Sequence, residues 1–159
     1  MSLLAIYLII SAVIVGLDQW TKHLTVSAIQ LGETKEFLSG FISFTYVRNT
    51  GGAWSILAGQ MTFFYIITVV VVGVILYVLV KNSRASKWFT IGLSLILAGA
   101  LGNFIDRIRL GYVVDMIQTD FMRFPIFNVA DMSLVIGVAC IFIYLVLDER
   151  SEKKKGNLK

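Results

Sequence analysis

Four stretches of the chain are apolar and uncharged over about the length of a membrane span, and each breaks off at a charged residue. They run from Ser2 to Leu17, before Asp18; from Met61 to Val80, before Lys81; from Trp88 to Ile105, before Asp106; and from about Met132 to Leu147, before Asp148. A helix needs roughly 20 such residues to cross about 30 Å of hydrocarbon. The first and fourth runs reach that length only by including an acidic residue near one end, Asp18 and Asp131 respectively. The predicted spans are therefore residues 2–22, 61–80, 88–107 and 129–147 of a single membrane domain covering 1–159. The first run lacks a basic leading region and a small-x-small cleavage site before Asp18, so it is expected to remain as a span.

The segments between the spans have patterns of their own. Residues 23–60 are too many for a simple connector, and loops of that length usually carry structure or function. Phe37 to Val47 is rich in Phe, Ile, Thr, Tyr and Val, which is strand chemistry, and Asn49-Thr50-Gly51-Gly52 then marks a turn. Residues 108–128 contain a second strand-like run around Val113 to Ile117 and then Phe124-Pro125-Ile126-Phe127. Two or more short strands on the membrane surface are expected. Ala53 to Leu57, with Trp54, is expected to form a short interfacial helix or an aromatic anchor. The fold class is thus an all-α membrane protein of four transmembrane helices with a small extracytoplasmic β-sheet.

Charge supplies the orientation. Lys81, Arg84 and Lys87 lie in or beside the loop 81–87, and Arg150, Lys153, Lys154, Lys155 and Lys159 lie in the tail 148–159, so one side carries eight basic and three acidic residues. The other side carries six basic and seven acidic residues. The basic side is expected to be cytoplasmic, with both termini there. The overall charge of +4 is then an orientation signal, and no nucleic-acid partner is expected. Composition agrees: 57% of residues are hydrophobic and only 15% charged, which argues against an ordinary soluble enzyme.

Sorted by depth, the polar residues converge. Asp18 and Lys22 fall at the outer end of span 1, Asn103, Asp106 and Arg107 at that of span 3, and Asn128 and Asp131 at the start of span 4. Each set is spaced at i, i+3 or i+4, hence on one helix face. Ionisable groups at such depth usually face a bundle interior or a watery cavity, so the layer is a candidate site. Several readings stay open. Asp18 with Lys22 is equally an interfacial salt bridge, and Asp106 beside Arg107 and Arg109 reads better as structural than as catalytic. Asp115 is either solvent-facing on an alternating strand or aimed into the site, while Asn128 and Asp131 also fit a helix N-terminus.

One cysteine, Cys140, and one histidine, His23, cannot form a Cys/His zinc site within a chain, and no metal or cofactor is expected. Cys140 has no basic neighbour to make a thiolate, and His23 has no evident nucleophile beside it. Two carboxylates sharing one proton remain: the ionised one activates water and the protonated one polarises a carbonyl. A proton or cation transporter would want polar groups through the bilayer depth, and a structural subunit would not require two acids.

The blocks Asp18-Gln-Trp-Thr-Lys22, Arg48-Asn49-Thr-Gly-Gly-Ala53-Trp54, Gly102-Asn103-Phe-Ile-Asp106-Arg107, Val113-Val114-Asp115 and Phe127-Asn128-Val-Ala130-Asp131 resemble, in that order, those of the lipoprotein signal peptidases. The resemblance spans essentially the whole chain, with Gly52 standing where the family often has Ala. It implies an aspartyl protease of the bacterial cytoplasmic membrane, active at the extracytoplasmic face. Such an enzyme cuts the signal peptide from diacylglyceryl-modified prolipoproteins just before the lipidated cysteine. It implies Asp115 and Asp131 as the catalytic pair, Asn49, Asn103, Arg107 and Asn128 as orienting or substrate-binding residues, and Asp18, Lys22 and Asp106 as structural support. It further implies an outer β-cradle with a small clamping helix, contact with membrane lipid, and inhibition by the cyclic peptide globomycin. A monomer is expected.

Overall fold

The computed structural model describes residues 2–156, with side chains described for residues 2–148. Arg150, Lys153, Lys154 and Lys155, on which part of the orientation reading rests, have side chains outside those limits, and Lys159 lies outside the described residues altogether.

Among the described residues, four helices are long and apolar enough to cross a membrane. They are α1 (Leu3–Ala28), α2 (Met61–Lys81), α3 (Lys87–Leu110) and α4 (Val129–Gly156). Ser2 starts α1 by accepting the Ala5 N–H on its hydroxyl at 3.2 Å. Gly111 ends α3 in the left-handed conformation, φ 76°, which a residue without Cβ adopts at no steric cost. The chain runs up α1, down α2, up α3 and down α4, so the first three polar blocks and the start of the fourth helix meet at one end.

The central helix is α3, which packs against each of the other three. Several of its buried positions are small, among them Gly92, Ser94, Ala98, Gly99 and Gly102. Lipid tails are as apolar as leucine, so helices in a bilayer associate through close packing and hydrogen bonds, and small residues permit the approach. A Cβ at Gly92 would lie 2.8 Å from the Gly137 carbonyl oxygen, and one at Gly137 would lie 2.7 Å from that of Gly92. Cys140 packs at this same crossing and is buried. Ser11 ties α1 to α3 by donating to the Ser94 carbonyl at 2.8 Å.

A three-stranded antiparallel sheet covers the polar end of the bundle, in the order β1 (Thr34–Leu38), β2 (Ile42–Asn49), β3 (Val113–Thr119). The strand-like run Phe37 to Val47 is two strands rather than one, because Gly40 at φ 73° turns the chain within it. Pairing of β2 with β3 slips between Phe44 opposite Ile117 and Val47 opposite Asp115, leaving an extra residue in β2. The first four residues of β3 are buried on both faces: Tyr46, Val114 and Met116 form a core cluster, while Val113 and Asp115 face a cavity. The segment after β2 contains a single 3₁₀ turn, Ala53–Ser55, with Trp54, Ser55 and Leu57 at positive φ.

The glycine contact between α3 and α4 makes a direct prediction. Gly137→Ala should lower thermal stability in detergent, by about 1–3 kcal/mol as overpacking usually does. Gly73→Ala, where nothing lies within 4 Å of the new Cβ, should leave the unfolding temperature unchanged or raise it. Equal effects of the two substitutions would contradict the packing argument.

Candidate active site

The site is built outward from a buried ion cluster. The Lys22 ammonium lies 2.8 Å from Asp18 and 3.0 Å from Asp106. All three residues are buried, and an unpaired charge at such a position would be very costly. Further donors complete the carboxylates. Asp18 accepts the Ala130 N–H at 2.8 Å, Asp106 accepts the Val114 N–H at 3.0 Å, and Gln19 donates to Asp106 at 2.8 Å. Asp18 therefore holds the first turn of α4, and Asp106 holds the start of β3. Gly102 makes the approach possible, since a Cβ there would lie 2.7 Å from an Asp18 carboxylate oxygen.

The third Lys22 donor reaches the Asn103 side-chain oxygen at 3.0 Å. Asn103 in turn donates to Asp131 at 2.7 Å. Asn128 donates to Asn103 at 3.1 Å and to Asp115 at 2.7 Å. Asn49, at the end of β2, donates to the other Asp115 oxygen at 2.9 Å. Asn128 and Asp131 also close a reciprocal cap on α4. The Asn128 side chain accepts the Asp131 N–H at 2.9 Å, and Asp131 accepts the Asn128 N–H at 3.2 Å. The N-terminal reading of these two residues and their convergence with the polar layer are thus both present in one geometry.

Arg107 donates to the Gly51 carbonyl at 2.9 Å and stacks 4.4 Å from the centre of the Phe64 ring, tying the turn after β2 to α2 and α3. Its Nε is buried without a hydrogen-bond partner. Gly51 admits this arrangement, because a Cβ there would lie 2.7 Å from the Ile56 carbonyl oxygen. All nine residues singled out in the sequence are thereby joined in one network.

Asp115 and Asp131 both line a cavity of about 710 Å³ between α2 and α4, over α3, with Ile67, Val71, Val135 and Phe124 among its apolar walls. Asp115 is only 2% exposed, which settles the alternative left open by its alternating strand. Burial and then the neighbouring charge of Asp131 push its carboxyl up to about 7, against the amides of Asn49 and Asn128 that favour the ionised form. Among the described residues, no group of three or more His, Cys, Asp or Glu side chains is placed to hold a metal ion.

Some members of the network have weak sequence signals. Gln19 sits beside Asp18 rather than a turn away, and Phe64 and Tyr65 are lost in an uncharged aromatic run; Tyr65 donates to the Arg107 carbonyl at 2.9 Å. His23 and Arg109 are exposed and border a second, smaller cavity of about 150 Å³ on the α1–α3 side.

Fold and site together define a class: a helical membrane protein whose sheet and bundle bring two carboxylates to one largely apolar cavity. The Signal peptidase (SPase) II family model matches residues 10–147. The lipoprotein signal peptidase of Enterococcus faecalis is 66% identical, over 98% of this chain and 96% of its own, and that of Latilactobacillus sakei is 49% identical, over 91% and 96%. A bacterial membrane enzyme solved by the in meso method at 2.3 Å superposes with a TM-score of 0.87 at 41% identity, covering 91% of this chain and 90% of that one. The chain belongs to the signal peptidase II family.

Asp18→Ala should remove the Lys22 partner and the Ala130 acceptor together. The expected loss is about 3–5 kcal/mol, as for a broken buried ion pair, read as a large fall in unfolding temperature in detergent. An unchanged unfolding temperature would show that the cluster does not hold the helices.

Proposed function

We propose that the chain is an aspartic endopeptidase that cuts the signal peptide from diacylglyceryl-modified prolipoproteins, just before the lipidated cysteine, using Asp115 and Asp131. The observation that carries this reading is the pair of carboxylates from β3 and α4, linked through Asn128 and facing one apolar cavity. The similar E. faecalis and L. sakei proteins bear the name lipoprotein signal peptidase, which supports the substrate class.

The pair works with one shared proton, and its titration belongs to both residues jointly. The ionised carboxylate takes a proton from water as the water oxygen bonds to the scissile carbonyl carbon. The protonated carboxyl donates to the carbonyl oxygen, giving a neutral tetrahedral diol. Return of a proton to the nitrogen as the C–N bond breaks releases the amine and the new acid. Asn49, Asn103 and Asn128 hold the carboxylates, and Asn49, Asn103 and Arg107, which line the cavity, would meet an unwound substrate backbone. Unwinding is required because a helical peptide bond is shielded by its own hydrogen bonding. The substrate is itself apolar and lipidated, so the cavity between α2 and α4 suits entry from the bilayer, and globomycin would compete for the same walls.

Cleavage of a lipidated prolipoprotein by purified protein should fall about 10²- to 10⁴-fold in Asp115→Asn and in Asp131→Asn, with folding retained. Near-normal turnover in either would rule out the pair. In the wild type the rate should decline as pH rises through about 7, where the remaining proton is lost from the pair. A rate still level at about pH 9 would contradict that assignment.

The sheet end of the bundle belongs outside the cytoplasmic membrane, because the connector at the other end is basic, with Lys81, Arg84 and Lys87. A cysteine replacing exposed Ser39 should react with a membrane-impermeant thiol reagent in intact cells, whereas one replacing exposed Arg84 should not. The reverse pattern would invert the topology.

A further inference from the structure

Lys22 touches Asn103 directly and reaches Asn128 through it, and the direction of its hydrogen bond has a consequence for the carboxylates beyond. An ammonium has donors only. The Asn103 oxygen, 3.0 Å from Lys22 Nζ, must therefore face the lysine, which turns the Asn103 NH₂ toward Asp131, 2.7 Å away. The same oxygen receives Asn128 Nδ2 at 3.1 Å. Asn128 must then present its NH₂ on this side, where its other hydrogen reaches Asp115 at 2.7 Å and its oxygen is left to accept the Asp131 N–H at 2.9 Å. The donor-only ammonium thus orients Asn103, and the Asp131 N–H and the Val114 carbonyl orient Asn128 to match.

Shape alone leaves an amide ambiguous, because oxygen and NH₂ are similar in size and opposite in polarity; for Asn128 the Asp131 N–H and the Val114 carbonyl decide the direction, and for Asn103 the donors Lys22 and Asn128 do. With Asn103 reversed, an oxygen would face the Asp131 carboxylate, and the Asn128 NH₂ would face another NH₂. Holding the ion cluster together does not require this third bond, since Asp18 and Asp106 also accept the N–H groups of Ala130 and Val114. We propose that Lys22 is a positioning residue for catalysis: by holding the Asn103 oxygen it keeps the Asn103 NH₂ on Asp131 and keeps an acceptor in place for Asn128, the amide that joins Asp131 to Asp115. The inference rests on the aspartic reading above.

The groups facing Lys22 are few. Asp18, Gln19 and His23 come from α1, Asn103, Asp106 and Arg109 from α3, and β3 brings Val114 to the adjoining small cavity; Asp131 of α4 lies beyond Asn103. Arg107 of α3 lines the cavity with both carboxylates and donates to the Asn103 carbonyl at 3.3 Å, so loss of the ammonium removes one of two positive charges near the pair; the charge of Lys22 acts to lower the Asp115 carboxyl.

The test compares wild type, Lys22→Met, Lys22→Met with Asp106→Asn, and Asp131→Asn, using a lipidated prolipoprotein in detergent. The double variant relieves one of the two carboxylates that the single variant strands, so it carries the measurement where Lys22→Met alone fails to fold. In whichever folds, kcat should drop on the order of 10- to 100-fold with KM changed by less than about threefold, as for residues that orient a catalytic group from behind. The decline above pH 7 should also move to higher pH, which a merely structural role would not produce. A kcat within about threefold of wild type, a loss confined to KM, or an unmoved pH profile would overturn the proposal. Failure of both lysine variants to fold would place Lys22 in the fold alone and overturn it as well. Asp131→Asn separates the two levels. If it is inactive while a folded lysine variant is not, this inference fails alone; if it keeps turnover, the aspartic reading fails and takes this one with it.

Discussion

A buried ammonium between two buried carboxylates constrains almost everything at this end of the molecule. Lys22 has three hydrogens to place, and it places them on Asp18, Asp106 and Asn103. Two carboxylates against one cation leave a negative excess, so backbone N–H groups from α4 and β3 are drawn in to complete the shell. The helix α1 contributes the lysine and Asp18, α3 contributes Asp106 and the small Gly102 that admits Asp18, and α4 starts against the same carboxylate. Satisfying one charge thereby ties α1, α3, the start of α4 and the start of β3 together.

The same hydrogen bonds that finish secondary structure also shape the site. Asn128 caps α4 with its oxygen and reaches Asp115 with its nitrogen. Asp131 closes the cap and still faces the cavity. Asp106 anchors β3 at Val114, and alternation along that strand then sends Val114 into the sheet core and Asp115 to the cavity. A shift of β3 by one residue would reverse those faces. The backbone anchor at Val114 is thus what aims a side chain one residue further on.

Much of this was legible in the sequence because depth and helical spacing are strong signals in a membrane chain. Charges interrupting apolar runs marked the ends of helices, and i, i+3 and i+4 spacing put Asn103, Asp106 and Arg107 on one face, where the structure has them. The direction of Asp115 was not legible, since Val113 to Ile117 is apolar on both sides and a buried strand hides its own alternation. The short helix or aromatic anchor expected around Trp54 is a single 3₁₀ turn, Ala53–Ser55, with Trp54 exposed; the positive φ of Trp54, Ser55 and Leu57 is not something a local pattern announces. Gln19 escaped notice because helical neighbours one residue apart do not share a face.

The layer contains two sorts of buried carboxylate, and their partners separate them. Asp18 and Asp106 each lie against a full positive charge. Asp115 receives only the neutral amides of Asn49 and Asn128 and sits beside Asp131 over an apolar cavity. Neutral donors stabilise a carboxylate less than a cation does, so burial dominates at Asp115 and its carboxyl rises to about 7. An amide spacer between the lysine and the pair accomplishes this with one structural device. It passes on the orientation that a cation enforces while withholding the direct contact that would keep a carboxylate ionised.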